Sequence, residues 1–487
     1  MTVRCLMTLC ALGLAGGPAA ADWVSMEISE NQTDADHPAL AVSPDGAAVI
    51  AWEEAGGGVW TRFVDACVGD AVVDPAAEFQ GPGHRPVVAW TWRGFLIVWA
   101  DGQDLRYRYG GESGWGDPPD EIPVGLDLAE AQLDLQGCAE PGWSVGWLGL
   151  TVPDGFGVDH WFVRLHKGSF DAPELLAVGL TEWAGVQVAQ VPHALQPVPR
   201  VYYFPEFARL ACRTGLFEGG WEAAAMLPGE YYGAACDARG HADGRQAVLS
   251  LGPQPTCPCN TIHYSEQDDG GNWSAPVTLM TVHDTYDWPQ SPQVAWGAGD
   301  EVHAFWVQFT HNDGLEPGRT HLEYRQRVGG VWQNCSAVLE DQERRSLGGH
   351  VAMELTAQGE PLFAWTRQDT LESGPQPRRV WLARPLTAVG APASDIGGLE
   401  LAVWPNPGRS RIALAGSAPQ GAAVTLAVYD LAGRRVATPA MSTAAPGRFA
   451  ATWDGSDAAG REAPAGVYLM RLSAAGGTVT RRVVLAR

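Results

Sequence analysis

The sequence predicts an all-β fold, a seven-bladed β-propeller over residues 22–386 followed by a smaller β unit. Three observations carry this. A set of short strands recurs seven times at a period of about fifty residues, which with strands alone means blades stacked in a ring. One large apolar residue returns at the same place in each repeat: Trp52, Trp99, Trp147, Phe204, Leu249, Trp306 and Trp365. The composition suits turns and sheet cores, with 59 Gly, 35 Pro and 21 Trp in 487 residues.

Each repeat opens with a strand, at 38–42, 86–90, 132–135, 186–189, 234–237, 292–296 and 350–353. A turn and the strand bearing the large apolar residue follow. A third strand, rich in Arg and Tyr, is clearest at 105–109, 161–165, 262–265, 322–326 and 380–384. The fourth is announced by Trp115, Phe170, Trp221, Trp273 or Trp332. One blade cannot bury both faces, so most of these aromatics are expected as packing between blades. The last repeat lacks a fourth strand, whereas residues 22–29 read as a fourth strand without the first three. The expected solution is closure, with the N-terminal strand completing the last blade and hiding an edge.

Ahead of that strand, residues 1–21 read as a signal peptide. Arg4 precedes an apolar run from Cys5 to Leu14, and Ala19-Ala20-Ala21 offers small residues for cleavage. That run is too short to span a bilayer. Export leaves seven cysteines: Cys67, Cys138, Cys212, Cys236, Cys257, Cys259 and Cys335. An odd number leaves at least one thiol free or intermolecular. Cys257-Pro258-Cys259 has no second Cys or His pair at zinc-like spacing, so no metal and no cofactor are expected from it. The net charge of −24 argues against nucleic acid and anionic membranes as partners, since both need basic patches.

The stretch from Tyr264 to Pro276 is acidic and glycine-rich between two apolar runs, and reads as a hairpin turn. Its Asp268, Gly270 and Trp273 resemble the Asp-box of sialidase and BNR-repeat propellers. Glu266 and Asn272 stand where that family places Ser or Thr. In the family the box is a folding device, so Asp268 is expected to accept hydrogen bonds from its own turn and Trp273 to bury against a neighbouring sheet. Sialidases on this architecture use three arginines, a Tyr/Glu pair and an acid. The nearest match to their first arginine is His84-Arg85-Pro86, while Tyr202, Tyr203, Glu230, Tyr231 and Tyr232 are the nearest aromatic and acidic groups.

Residues 387–398 form a small-residue linker. Beyond it come a Pro405-Asn406-Pro407 entry, a strand–Gly433–strand unit, and a Gly466-Val467-Tyr468 hairpin. Residues 399–487 so resemble the Ig-like domain of flagellar hook-capping (FlgD-type) proteins and the C-terminal sorting domain of type IX secretion. The resemblance implies a β-sandwich of about seven strands. It also implies a role in export or surface attachment, with the export machinery as partner and a Gram-negative-type cell as host.

Two functions follow. The first is an exported, non-catalytic binding protein, secreted or held at the outer surface or in the periplasm, whose propeller loops take a carbohydrate or cell-surface ligand. The second is a sialidase-like glycoside hydrolase or polysaccharide lyase. Counting back from turn residues Gly46 and Gly359 puts His37 and His350 at one register, on blades that closure makes adjacent. Aligning Pro38 with Pro86 adds Arg85 on the next blade. Loops on the same face supply Asp287, Trp288, His311 and Asp369. Such a set suits an anionic or polyhydroxy ligand and would respond to pH near neutrality.

Overall fold

Between Trp23 and Pro385 the chain forms seven antiparallel sheets of four or five strands, and between Glu400 and Leu485 two more of four, among the described residues. The computed structural model describes residues 23–485, apart from 30–32, 66–76, 180–184, 230–234, 253–260, 282–287, 311–318, 340–344, 386–399, 405–411, 418–423, 431–433 and one or two residues in several shorter loops. Those described form no helix. Residues 1–21, expected from the sequence to be a signal segment, the expected linker at 387–398, Cys67, Cys257, Cys259 and Cys335 lie outside the described residues.

The sheets are arranged as a β-propeller. The first strand of each packs beside the first strand of the next: Ala35–Val42, His84–Thr91, Gln132–Gly137, Gln187–Val191, Cys236–Gly240, Trp288–Trp296 and Arg345–Leu355, which returns to Ala35–Val42. The core follows the same cycle, since each buried cluster of this region is shared by two successive sheets. One joins Leu40, Ile50 and Trp52 to Leu362, Val380 and Leu382; another joins Val49 and Ala51 to Phe95 and Trp99. The ring is joined by Trp23–Glu27, which pairs antiparallel with Arg379–Pro385 in the register Trp23↔Pro385 to Glu27↔Trp381. Ile28, fully buried, and Ser29, whose hydroxyl accepts the N–H of Val380 at 2.9 Å, extend the join.

The repeated apolar residues explain why the sheets stack. Trp52, Trp99, Trp147, Phe204, Leu249, Trp306 and Trp365 are all at most 1% exposed. In a core, truncating one such Trp to Ala costs about 3–5 kcal/mol, against a typical net stability of ~5–15 kcal/mol. The second aromatic series reaches across to the preceding sheet. Trp115 meets Phe63 at 5.6 Å, Trp221 meets Phe162 at 4.8 Å, Trp273 meets Tyr202 at 6.0 Å and Trp332 meets Tyr264 at 5.0 Å. Tyr202 and Tyr203 are core residues, and the Tyr202 hydroxyl is spent on Gln246 Oε1 at 3.1 Å. Cys138, Cys212 and Cys236 are free, buried thiols.

One detail departs from the sequence expectation. Several first strands begin before the proline rather than after it. Pro38, Pro86 and Pro292 lie inside Ala35–Val42, His84–Thr91 and Trp288–Trp296. Each follows a residue with positive φ: His37 at 48°, Arg85 at 50° and Ser291 at 46°. The pairing register shifts at each of these places. A bulge leaves one residue out of the ladder, so a proline without an N–H is accommodated there.

The C-terminal sheets face each other across one core. Ile412, Leu414 and Trp453 come from one sheet, and Leu426, Val428, Met470, Leu472 and Val483 from the other. Alternate residues point inward along each strand, as a two-layer sandwich requires. It has eight strands among the described residues, one more than expected, because Arg435–Ala437 and Met441–Ala445 form separate edges.

Deleting residues 22–30 removes both the closing ladder and Ile28. The melting temperature of the propeller region, followed by calorimetry, is expected to drop by several degrees. An unchanged melting temperature would show that the ring does not depend on this strand.

Candidate functional site

The bulges in Ala35–Val42 and His84–Thr91 sit where the last, first and second sheets meet. The left-handed conformation of His37 turns its side chain away from the regular alternation, toward the second strand and the neighbouring sheet. Its Nδ1–H donates to Glu53 Oε1 at 2.8 Å. The other oxygen of Glu53 accepts the backbone N–H of Arg85 at 2.6 Å, so Glu53 ties the first sheet to the second. Asp36 ties the first sheet to the last: its Oδ1 accepts from His350 Nδ1 at 3.0 Å and from the His37 N–H at 2.9 Å. The guanidinium of Arg378 holds Asp36 Oδ2. The rings of His37 and His350 lie 3.8 Å apart between centroids and 32° from parallel. Residues 313 positions apart in the chain are thus in contact across the seam.

The electrostatics follow from these bonds. Burial works to raise the Asp36 carboxyl, but the His350 hydrogen bond and charge outweigh it and hold the group well below the usual carboxylate range. Burial and the His350 charge lower the pKa of His37, with the Glu53 hydrogen bond opposing them. Burial works to raise the Glu53 carboxyl, but the His37 hydrogen bond and charge, together with the Arg85 N–H, lower it. Asp34 Oδ1 accepts the Arg378 backbone N–H at 2.8 Å, so two carboxylates, Asp34 and Asp36, flank Arg378. The His37 Nε2 atom is shut off from solvent and has no hydrogen-bond partner.

The structure therefore brings His37, His350 and the backbone of Arg85 together. Asp287 and His311 lie outside the described residues. Trp288 begins the strand Trp288–Trp296, and Asp369 pairs with Arg345 in the strand Pro361–Leu371. The sequence reading puts the loops at 34–37 and 368–379 on this face without singling out Asp36 or Arg378, and does not anticipate Glu53. In a chain with 56 acidic residues single carboxylates carry no signal, although Asp36 directly precedes the histidine that was singled out.

The Asp268 turn is far from this cluster in the chain and self-contained. Asp268 Oδ1 accepts the Asn272 N–H at 2.8 Å, and the Asp268 carbonyl accepts the Gly271 N–H at 3.0 Å. Gly271 has φ 83°, and Trp273 bridges back to Gln267. These backbone and Asn272 bonds lower the Asp268 pKa.

A second charged group lines the interior of the ring, on first strands. Asp134 and Asp237 each accept a backbone N–H from the next first strand, Val188 at 2.5 Å and Val294 at 2.7 Å. Arg239 pairs with Asp237 at 3.2 Å and reaches Glu354, two sheets on, at 3.7 Å. The Glu354 side chain is 37% exposed. Burial, helped by Asp237 and Asp134, pushes it up to about 7 against the pull of Arg239. Burial likewise pushes Asp134 to about 6, opposed by Arg239 and the Val188 N–H.

Comparison with known proteins bears on the C-terminal unit: residues 406–478 match the FlgD Ig-like domain. No curated protein matches the chain. Among solved structures, AofleA from Arthrobotrys oligospora is similar at 12% identity and a TM-score of 0.41, covering 65% of this chain and 90% of its own. The fucose-recognising lectin of Aleuria aurantia, a six-bladed β-propeller, is similar at 11% identity and a TM-score of 0.40, covering 66% of this chain and 97% of its own. A protein of unknown function from Dyadobacter fermentans is similar at 12% identity and a TM-score of 0.41, covering 76% of this chain and all of its own (100%).

The raised Glu354 carboxyl has a consequence for stability. Between its ordinary value and about 7 the folded chain holds a proton that the unfolded chain has released, so stability falls as pH rises through that window. Glu354→Gln mimics the protonated acid and is expected to melt a few degrees above the parent at pH 8, with the gap closing at pH 5. An equal difference at both pH values would contradict the assignment.

Proposed function

We propose that this chain is an exported, non-catalytic binding protein. Its propeller of seven blades, closed by the N-terminal strand, takes a polyhydroxy ligand at the seam cluster of Asp36, His37, Glu53, Arg85, His350 and Arg378. The observation that carries this is the repeated bulge. The same backbone device recurs in three first strands but presents His, Arg and Ser, so its chemistry changes while its geometry does not. Strained, non-glycine residues of this kind cluster where binding groups are held in place. Asp34 and Asp36 at Arg378, with Glu53 holding His37 and the Arg85 N–H, disfavour an anion and supply the alternating acceptors and donors that hydroxyl groups need. The signal-like segment at 1–21 and the FlgD Ig-like unit support export, with the C-terminal unit serving sorting or attachment.

The test is a glycan and metabolite screen followed by variants. Arg85→Ala and His350→Ala are each expected to weaken the ligand found by about tenfold, or 1.4 kcal/mol. Asp268→Ala should lower the melting temperature and leave affinity unchanged. If both seam variants bind as tightly as the parent, the ligand sits elsewhere.

A further inference from the structure

The seam cluster has a feature that ligand binding alone does not require. Asp36, His37 and His350 each offer one ligand atom, and these atoms all lie within 4.8 Å of one another. His37 is oriented as metal-binding histidines are. Glu53 accepts its Nδ1–H, which fixes the tautomer and leaves the lone pair on Nε2. That Nε2 is buried and unpartnered. An orphaned imidazole nitrogen is costly, and one positioned by a carboxylate is how proteins prepare a ligand. Asp36 and His350 now share a proton between Oδ1 and Nδ1. Arg378 sits on the other oxygen of Asp36, so Oδ1 can exchange partners without leaving Oδ2 unpaired.

We propose that His37, His350 and Asp36 bind one divalent transition ion of the zinc class. This rests on the reading of the seam as the binding site and adds what would meet the ligand there. Two imidazoles and one carboxylate suit zinc and its neighbours, whereas calcium and magnesium take oxygen donors. The ion replaces the proton between His350 Nδ1 and Asp36 Oδ1, and that proton leaves to solvent. The carboxylates of Asp34, Asp36 and Glu53 outnumber the guanidinium groups of Arg85 and Arg378, which favours a dication. Three protein ligands leave a position open for water or a ligand oxygen. No zinc-like spacing marks these ligands in the sequence because the two histidines come from opposite ends of the propeller.

The experiment uses the tag-free full chain, stripped with chelator, then titrated with Zn²⁺ by calorimetry and with Co²⁺ by visible absorption. One equivalent is expected to bind, with cobalt bands of a nitrogen- and oxygen-ligated site. His37→Ala and His350→Ala should each weaken binding at least about tenfold. Glu53→Gln, which preserves shape and keeps the fold, should weaken it about 10–100-fold as a positioning residue. His241→Ala, remote from the cluster, should bind as the parent does. Absence of saturable binding, or parental affinity in both His37→Ala and Glu53→Gln, overturns the proposal. Either result leaves the polyhydroxy-ligand reading to its own screen, since Arg85→Ala tests that reading without touching a metal ligand.

Discussion

The antiparallel ladder between Trp23–Glu27 and Arg379–Pro385 is the contact on which everything else rests. A propeller stacks each sheet on two neighbours, and the first and last can be neighbours only if the chain ends are joined. The ladder supplies that join with backbone hydrogen bonds, and the shared core of Leu40, Ile50, Leu362 and Val380 reinforces it. The candidate site is a product of the same join. Asp36 meets His350 and Arg378 only because the last sheet lies beside the first.

Around the rest of the ring the same result is reached by side chains. Buried Trp, Phe and Leu fill the space between sheets, and the Trp of each Gly-rich turn reaches back to the sheet before. Asp134 and Asp237 add a polar version, each taking an N–H from the next first strand. Satisfying that acceptor and donor together keeps both from the cost of an unpaired buried group. The price is a set of carboxylates crowded on the first strands, which Arg239 offsets only in part.

Much of the ring was legible in the sequence because its signals are periodic. Trp52, Trp99, Trp147, Trp306 and Trp365 mark the second strands by a residue too large to bury anywhere but between sheets. Gly46 and Gly359 marked the turns from which His37 and His350 could be counted, and both have positive φ, at 94° and 78°. The bulges were not legible. A proline announces an interruption of pairing, but not whether the strand starts there or passes through. The remaining members of the site were hidden for a related reason. Glu53 directly follows the second-strand aromatic Trp52 on no special spacing, and Arg378 comes from a loop whose reach is set by three-dimensional closure.

Closure makes the seam a permanent part of the fold. Hydrogen exchange read by mass spectrometry tests it directly. Peptides covering residues 23–29 and 379–385 should exchange slowly, at a common rate, and should lose protection together with the core strand Ala47–Glu54 as denaturant is added. Exchange of 23–29 within seconds while 379–385 stays protected would contradict closure, and with it the site built upon it.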